Sequence, residues 1–147
     1  MGGALMIILA LVVIAAVMSI AYYNTFVRLR NQTDEAFSTM DVYLKKRYDL
    51  IPNLVETVKH YAIHEKETLE KVISARTMAM GSQSIDERVQ NENMLSGTLK
   101  SLFAVSESYP DLKADTSFLN LQNQLSSIEN EISQARKYYN GAVRALN

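Results

Sequence analysis

The feature that most constrains this chain is an apolar run of twenty residues close to its N-terminus. Residues 4–23 read ALMIILALVVIAAVMSIAYY, with no charged side chain and with Ser19 as a weakly polar exception. At a rise of about 1.5 Å per residue, about twenty helical residues span the roughly 30 Å hydrocarbon core of a bilayer. The sequence therefore predicts a transmembrane signal-anchor helix over residues 1–23, followed by a helical bundle over residues 24–147.

A cleaved signal peptide is the alternative interpretation of this run, because Ser19, Ile20 and Ala21 resemble a small-x-small cleavage site. However, no Lys or Arg precedes the run, and the run is longer than the apolar core of most signal peptides. An apolar spacing of alternating four and three residues also begins inside the run and crosses its edge. We therefore favour an uncleaved anchor that continues into the bundle as one rigid helix.

The composition of the whole chain indicates a helical protein that does not bind nucleic acid. Charged residues make up 21% and the net charge is −1, which is typical neither of disordered chains nor of nucleic-acid-binding domains. The absence of cysteine excludes disulfides, thiol catalysis and thiolate metal sites. Gly and Pro are scarce and no strand-like alternation persists, so nearly all of the chain is expected to be helical.

Pro52 is the first proline, and it is expected to end the first helix. Proline disfavours the helical conformation in the residue before it, so a turn or sharp kink is predicted near Tyr48 to Ile51. Asp49 is a candidate N-cap of the second helix, with Pro52 in its first turn. This second helix is predicted from about Leu50 to Met80.

The remaining boundaries follow from local signals. Gly81 is expected to stop the second helix, and a capping box at residues 84–87 is expected to start the third, with Ser84 and Glu87 bonding each other's amides. The third helix is predicted over Ile85 to Tyr109, then a loop PDLKA, and then a fourth helix capped by Asp115. This last helix carries an unbroken, coiled-coil-like repeat: Phe118, Leu121, Leu125, Ile128, Ile132, Ala135, Tyr139, Ala142 and Leu146.

The predicted fold class is thus all-α, with an N-terminal transmembrane helix continuous with an antiparallel four-helix bundle. Basic residues follow the apolar run and none precedes it, so the positive-inside rule places the N-terminus outside and the bundle in the cytoplasm. Four arginines are expected at the membrane-proximal end, where they either contact anionic lipid or remain solvated: Arg28, Arg30, Arg88 and Arg144.

Five charged residues lie on or beside the apolar stripes: Glu65, Arg76, Glu92, Glu129 and Arg136. They are expected to form one or two buried, charge-paired layers that specify helix register, and a functional polar site in the core is the alternative. His60 and His64 are spaced i, i+4 and are able to chelate one metal ion, but no Glu-x-x-His motif accompanies them, so a solvated face is favoured. No metal, cofactor or catalytic residue is predicted, and the chain is not expected to be an enzyme.

Three segments carry a resemblance to a known family. They are VRLRNQTDEAFSTMDVYLKKRYDLIPNLVETVKHYAIHEKETLEKVISAR, NENMLSGTLKSLFAVSESYPDLKAD and NQLSSIENEISQARKYYNGAV. They resemble the LemA family of bacterial membrane proteins, some of whose members are associated with magnetosome membranes. The resemblance implies a single-pass protein of the bacterial cell (inner) membrane with a cytoplasmic helical bundle and no established catalytic activity.

The function expected from these features is that of a membrane-anchored scaffold that contacts lipid and forms a homo-oligomer. Small residues in the apolar run permit close contact between helices: Ala10, Ala15, Ala16, Ser19 and Ala21. A monomeric tethered bundle is the plainer interpretation. The alternative function is an accessory subunit or adaptor for a membrane protease or transporter. Such an adaptor would bind its membrane-protein partner through charged stretches at Lys45–Asp49 and Asp111–Asp115.

Overall fold

A computed structural model describes all residues from Met1 to Asn147 and contains helices and no strands, which confirms the all-α prediction. The helices are α1 (Gly2–Tyr61), α2 (Lys66–Met80), α3 (Ile85–Ser106), α4 (Pro110–Ala114) and α5 (Thr116–Leu146). The chain divides into two compact units. We call Met1–Met40 with Gln134–Asn147 the terminal unit, and Asp41–Ser133 the central unit.

The prediction that Pro52 ends the first helix is wrong. Helix α1 passes through Pro52 and ends at Tyr61, so Asp49 lies inside a helix and is not an N-cap. Proline removes one backbone N–H and crowds the carbonyl four residues earlier, which here belongs to Tyr48. Two observations explain why the helix continues. Arg76 of α2 donates from Nε to that carbonyl at 2.8 Å, and Ile51, next to the proline, is fully buried.

The second helix is correspondingly shorter than predicted, because α2 begins at Lys66 and not near Leu50. The turn between α1 and α2 lies at residues 62–65, where the amide of Glu65 donates to the carbonyl of Ala62 at 3.2 Å. Apolar residues at alternating spacings of four and three positions nevertheless stay buried on both sides of this turn. They are Ile51, Val55, Val58, Ala62, Leu69, Val72 and Ala79.

The signals at the α2–α3 connection are mostly confirmed. The amide of Gly81 donates to the carbonyl of Thr77 at 3.1 Å and closes α2. Ser84 Oγ accepts from the amide of Glu87 at 3.1 Å, as a capping box requires. The carboxylate of Glu87 differs from the prediction, since it accepts from the amide of Gln83 at 3.4 Å instead of the amide of Ser84.

The segment PDLKA was predicted to be a loop and instead forms the short helix α4, with Pro110 in its first turn and Leu112 fully buried. Helix α3 ends at Ser106, three residues before the predicted end. Asp115 caps α5 as predicted, because its Oδ1 accepts from the amide of Phe118 at 3.0 Å.

The central unit is an antiparallel bundle of four helical segments: α1 from Asp41 onwards, α2, α3 and the first half of α5. At one end Tyr61 contacts Asp115, and Tyr109 contacts Glu65. At the other end Asn91 Nδ2 donates to the carbonyl of Met78 at 3.2 Å. These contacts place consecutive segments side by side and in opposite directions, as short connections favour. Fully or almost fully buried apolar residues fill the core: Leu44, Ile51, Leu54, Val58, Val72, Leu95, Leu102, Leu112 and Phe118.

The terminal unit contains the apolar run. This part of α1 is long and apolar enough to cross a membrane, with a mean hydropathy of 3.0, and none of its side chains is buried by the chain. Further along α1, the ring of Phe37 packs on that of Tyr139 from α5, with centroids 6.0 Å apart. Ala36 and Ala142 are buried in the same unit.

Candidate functional site: a buried polar layer

The central unit contains a buried guanidinium at Arg47, whose side chain is 1% exposed. Its Nη1 donates to Ser96 Oγ at 2.8 Å and to Glu129 Oε2 at 3.0 Å. Its Nη2 donates to the carboxylate of Glu92 and, at 3.3 Å, to the carbonyl of the same residue. One arginine of α1 therefore holds two residues of α3 and one of α5.

The next residue, Tyr48, extends this network. Its hydroxyl donates to the other carboxylate oxygen of Glu92, and its carbonyl accepts from Arg76 of α2. The four segments of the bundle are thereby joined at one level. We call this set the polar layer; it consists of Arg47, Tyr48, Arg76, Glu92, Ser96 and Glu129.

The charged side chains of the polar layer differ strongly in their exposure to solvent. The side chain of Glu92 is 2% exposed, like that of Arg47, whereas that of Glu129 is 53% exposed. Removing a carboxylate and a guanidinium from water costs several kcal/mol per ion unless close pairing offsets the penalty. The Nε of Arg47 is buried without a hydrogen-bond partner, which adds to that cost. The contacts inside the layer join α1 to three other segments, and that they specify helix register stays a prediction.

Three of the five predicted core charges, Arg76, Glu92 and Glu129, lie together in the polar layer. Glu65 does not, because its carboxylate accepts from the Tyr109 hydroxyl at 3.0 Å at the end of the bundle where α1 turns into α2. This hydrogen bond to Glu65, with some burial, raises the pKa of Tyr109. Arg136 lies half-buried in the terminal unit.

Sequence reasoning missed Arg47, Tyr48 and Ser96. Arg47 was predicted to lie in the charged stretch Lys45–Asp49, next to the turn that Pro52 was expected to introduce near Tyr48 to Ile51. If α1 is continued through the proline, the four–three spacing runs from Leu44 to Arg47 to Ile51, and both apolar neighbours on that stripe are buried. The signal was therefore present but depended on the correct helix boundary.

A second polar contact lies near the end of α1. The Tyr61 hydroxyl donates to Asp115 Oδ2 at 2.6 Å. This hydrogen bond, together with the one from the Phe118 amide, holds the pKa of Asp115 below its usual value. The same contact raises the pKa of Tyr61.

The two histidines are both exposed, and they are not presented together on one helix as the sequence suggested. His60 lies in the last turn of α1, whereas His64 follows the end of that helix. No cluster of three His, Asp or Glu side chains has an arrangement that would hold a metal ion.

The four predicted membrane-proximal arginines differ in their surroundings. Arg28, Arg30 and Arg144 are exposed in the terminal unit, and their contact with lipid stays a prediction. Arg88 is half-buried in the central unit and pairs with Asp41. Burial alone would raise the pKa of Asp41, but hydrogen bonds from Lys45 and Arg88 outweigh it and lower the pKa.

The two charged stretches considered for an adaptor role lie at different levels of the central unit. Asp115 contacts Tyr61 at the end of α1, whereas Arg47 contacts Glu129, which lies about 20 Å further along α5 at 1.5 Å per residue. Arg47 is also buried. The stretches at Lys45–Asp49 and Asp111–Asp115 therefore do not form one continuous patch.

Comparison with known proteins supports the family resemblance. A model of the LemA family matches residues 36–147. The chain is 25% identical over 126 residues to Protein LemA of Metamycoplasma hominis, covering 84% of this chain and 57% of that protein. It is 23% identical over 171 aligned positions to Magnetosome protein MamQ 2 of Paramagnetospirillum magneticum, covering 98% of this chain and 63% of that protein. Magnetosome protein MamQ 1 of the same organism matches equally well.

The chain thus spans about three fifths of the length of these curated relatives. The family match extends from the first buried residue of α1, Ala36, through the whole polar layer and to the end of α5. On this match over most of its length, the chain belongs to the LemA family.

Proposed function

We propose that this chain is a non-enzymatic, membrane-anchored helical scaffold that self-assembles at the cytoplasmic face of the bacterial membrane. The observation that carries the proposal is the uncovered apolar run of α1. Its large side chains, among them Leu9 at 65% and Ile14 at 55% exposure, are covered by nothing else in the chain. A surface of this size and composition requires lipid or protein around it.

The details of the run suit a bilayer. The Ser19 hydroxyl donates to the carbonyl of Ala15 at 2.8 Å, so the only polar side chain within the aliphatic part has a partner inside the helix. Tyr22, Tyr23 and Phe26 follow it, at the depth where aromatic side chains gather at a membrane surface. Arg28 and Arg30 come next and favour a cytoplasmic position for the residues after the run.

Self-assembly is supported by the small residues of the run. Ala15 and Ser19 lie one helical turn apart on one face, where they allow another helix to approach closely. The buried charges of the central unit contact each other, which suits a rigid structural part.

The test is the mass of the full chain in lipid nanodiscs, measured by mass photometry and by imaging of single particles. The proposal expects multimers, and Ala15→Ile combined with Ser19→Ile should shift the distribution towards single chains. Val17→Leu is the matched control, because it changes a side chain on the opposite face of the same helix. A wild-type mass equal to one chain would overturn the scaffold.

Topology is tested separately, with a reporter fused to the C-terminus. A fluorescent protein that folds only in the cytoplasm should be bright in this fusion, and alkaline phosphatase, which is active only outside, should be inactive. The reverse pattern would contradict the cytoplasmic placement of the central unit.

A further inference from the structure

A groove of about 480 Å³ runs between α3 and α5 in the central unit. Leu99, Phe103 and Leu125 give it an apolar floor, and the small residues Ser96, Gly97 and Ser126 also line it. Lys100 stands on its α3 side and Glu129 on its α5 side. The groove thus combines an apolar floor with one charge of each sign.

The groove leaves room for a helix to approach. A Cβ atom added at Gly97 would meet no atom within 4 Å, so this part of α3 faces open space. Glycine allows the backbone of another helix to come close, and the serines beside it add little bulk. Leu99 and Leu125 are already buried within the chain, so a second helix would chiefly remove the partly exposed Phe103 from water.

Both charges of the groove are available to a partner. Lys100 is exposed and forms no ion pair in the chain, although Glu129 lies across the same groove. Glu129 uses Oε2 for both Arg47 and Ser96, and its side chain is still 53% exposed. An approaching surface with a cation opposite Glu129 and an anion opposite Lys100 would pair both.

We propose that the occupant of this groove is a second copy of the chain. This inference rests on the self-assembly proposed above and names the surface that mediates it. In a contact with twofold symmetry the same patch meets itself, so Lys100 of each copy faces Glu129 of the other. A groove that carries opposite charges on its two sides is self-complementary in this way, and Gly97, one helical turn from Lys100, lies within the same contact.

The experiment uses the absence of cysteine from the chain, which makes any introduced thiol unique. Gly97→Cys in the full chain, in nanodiscs, is treated with a short bismaleimide cross-linker and with a mild oxidant. Gly141→Cys is the matched control, because Gly141 is also a helical glycine whose added Cβ would meet nothing within 4 Å. Covalent dimers are expected from Gly97→Cys and not from Gly141→Cys.

A second part of the experiment tests the proposed charge pairs by charge reversal in the Gly97→Cys background. Lys100→Glu places like charges opposite each other across the interface and should reduce the yield of covalent dimer several-fold. Lys71→Glu is its control, since Lys71 is an exposed lysine of α2 away from the groove. Far-UV circular dichroism checks that each variant is folded, and Ser126→Cys in the same groove replaces Gly97→Cys if the latter is not.

The outcomes separate this inference from the broader proposal. Multimers in nanodiscs without cross-linking at Gly97, or with equal cross-linking at Gly141, overturn the groove contact and leave the scaffold intact. A wild-type mass of one chain overturns both. Cross-linking at Gly97 that Lys100→Glu does not reduce also overturns the charge-paired arrangement proposed here.

Discussion

The Nε of Arg76 donates to the backbone carbonyl of Tyr48 at 2.8 Å, across the interface between α2 and α1. That carbonyl has no helical N–H to accept from, because the residue four positions later is Pro52. A side chain from a neighbouring helix thus replaces the backbone hydrogen bond that the proline removes. This pairing explains how α1 passes through a proline without ending.

The first prediction tests this replacement with a double-mutant cycle. Arg76→Ala should lower the free energy of unfolding by about 1–3 kcal/mol, because it leaves the Tyr48 carbonyl without a partner. Pro52→Ala restores the missing N–H, so Arg76→Ala should cost clearly less in that background. Urea unfolding of the detergent-solubilised chain, followed by circular dichroism, measures both. Additive effects of the two changes would contradict the replacement.

Arg76→Leu separates packing from hydrogen bonding at the same position. It should be tolerated better than Arg76→Ala, because leucine still covers apolar surface while the carbonyl is unsatisfied in both. In the Pro52→Ala background, where the carbonyl has a helical donor, Arg76→Leu is expected to be close to neutral. The same urea titrations give this comparison, and equal losses for leucine and alanine would rule out a packing contribution.

The second prediction concerns the buried pair Arg47–Glu92. Arg47→Ala should destabilise the bundle by about 3–5 kcal/mol, because it leaves a buried carboxylate without its counter-charge. Replacing both partners, as Arg47→Met with Glu92→Leu, should cost less than the sum of the two single changes. Chemical unfolding of Arg47→Ala, of the singles Arg47→Met and Glu92→Leu, and of the double variant gives these values.

The matched control for the buried pair is Glu129→Gln, which changes the exposed partner of the same arginine. It should cost less than about 1 kcal/mol, as is typical of solvated ion pairs. A loss as large as that of Arg47→Ala would show that Glu129, and not Glu92, neutralises the buried guanidinium.

The third prediction is a pH dependence at Asp115. Its pKa is lowered from 3.8 by the Tyr61 hydroxyl and the Phe118 amide, so the unfolded chain binds this proton more readily than the folded one. The carboxylate's contribution is therefore fully present above about pH 4 and is lost as the pH falls through the lowered pKa. Wild type should be more stable than Asp115→Asn near neutral pH, and the difference between their thermal unfolding midpoints, which we call the gap, should become smaller on acidification. Thermal unfolding at a series of pH values measures this.

Asp111→Asn serves as the control for this pH series, because Asp111 is an exposed aspartate of the adjacent short helix. Its gap to wild type should change less with pH than that of Asp115→Asn. Tyr61→Phe should remove part of the effect by deleting one of the two hydrogen bonds. A gap for Asp115→Asn that stays constant down to strongly acidic pH would show that the carboxylate is not selectively stabilised by folding.

The fourth prediction concerns the start of α3. Ser84→Ala removes the oxygen that accepts from the Glu87 amide and should cost about 1 kcal/mol, whereas Ser84→Asp keeps an acceptor and should be nearly neutral. Urea midpoints of the two variants decide this. Equal losses would mean that the cap does not contribute to stability.

Much of this fold is predictable because its periodicity is strong. The stripe from Phe118 to Ile132 is buried as expected, and Ser84, Gly81 and Asp115 act at the helix ends where local chemistry placed them. The prediction failed at Pro52. Local sequence rules include the cost of a proline inside a helix, but not a hydrogen bond that an arginine of another helix donates to the unpaired carbonyl.

The polar layer was predictable only in part for the same reason. Glu92 and Arg76 lie on stripes that the sequence displays directly, whereas Arg47 joins a stripe only if the helix continues through the proline. The contact between Tyr48 and Glu92 depends on how α1 and α3 are aligned, and that alignment is a property of the packed bundle. Sequence spacing identifies which face of a helix is buried. It does not identify which residues of one helix lie opposite which residues of its neighbour.

The packing of Phe37 on Tyr139 has a consequence for the order of events during synthesis. Phe37 lies near the N-terminus and Tyr139 near the C-terminus, so Tyr139 is synthesised long after Phe37. Until then the part of α1 after the apolar run has no partner from the last turns of α5. A nascent chain that has already engaged the membrane would have to keep this stretch soluble, or shield it with a chaperone, until translation ends.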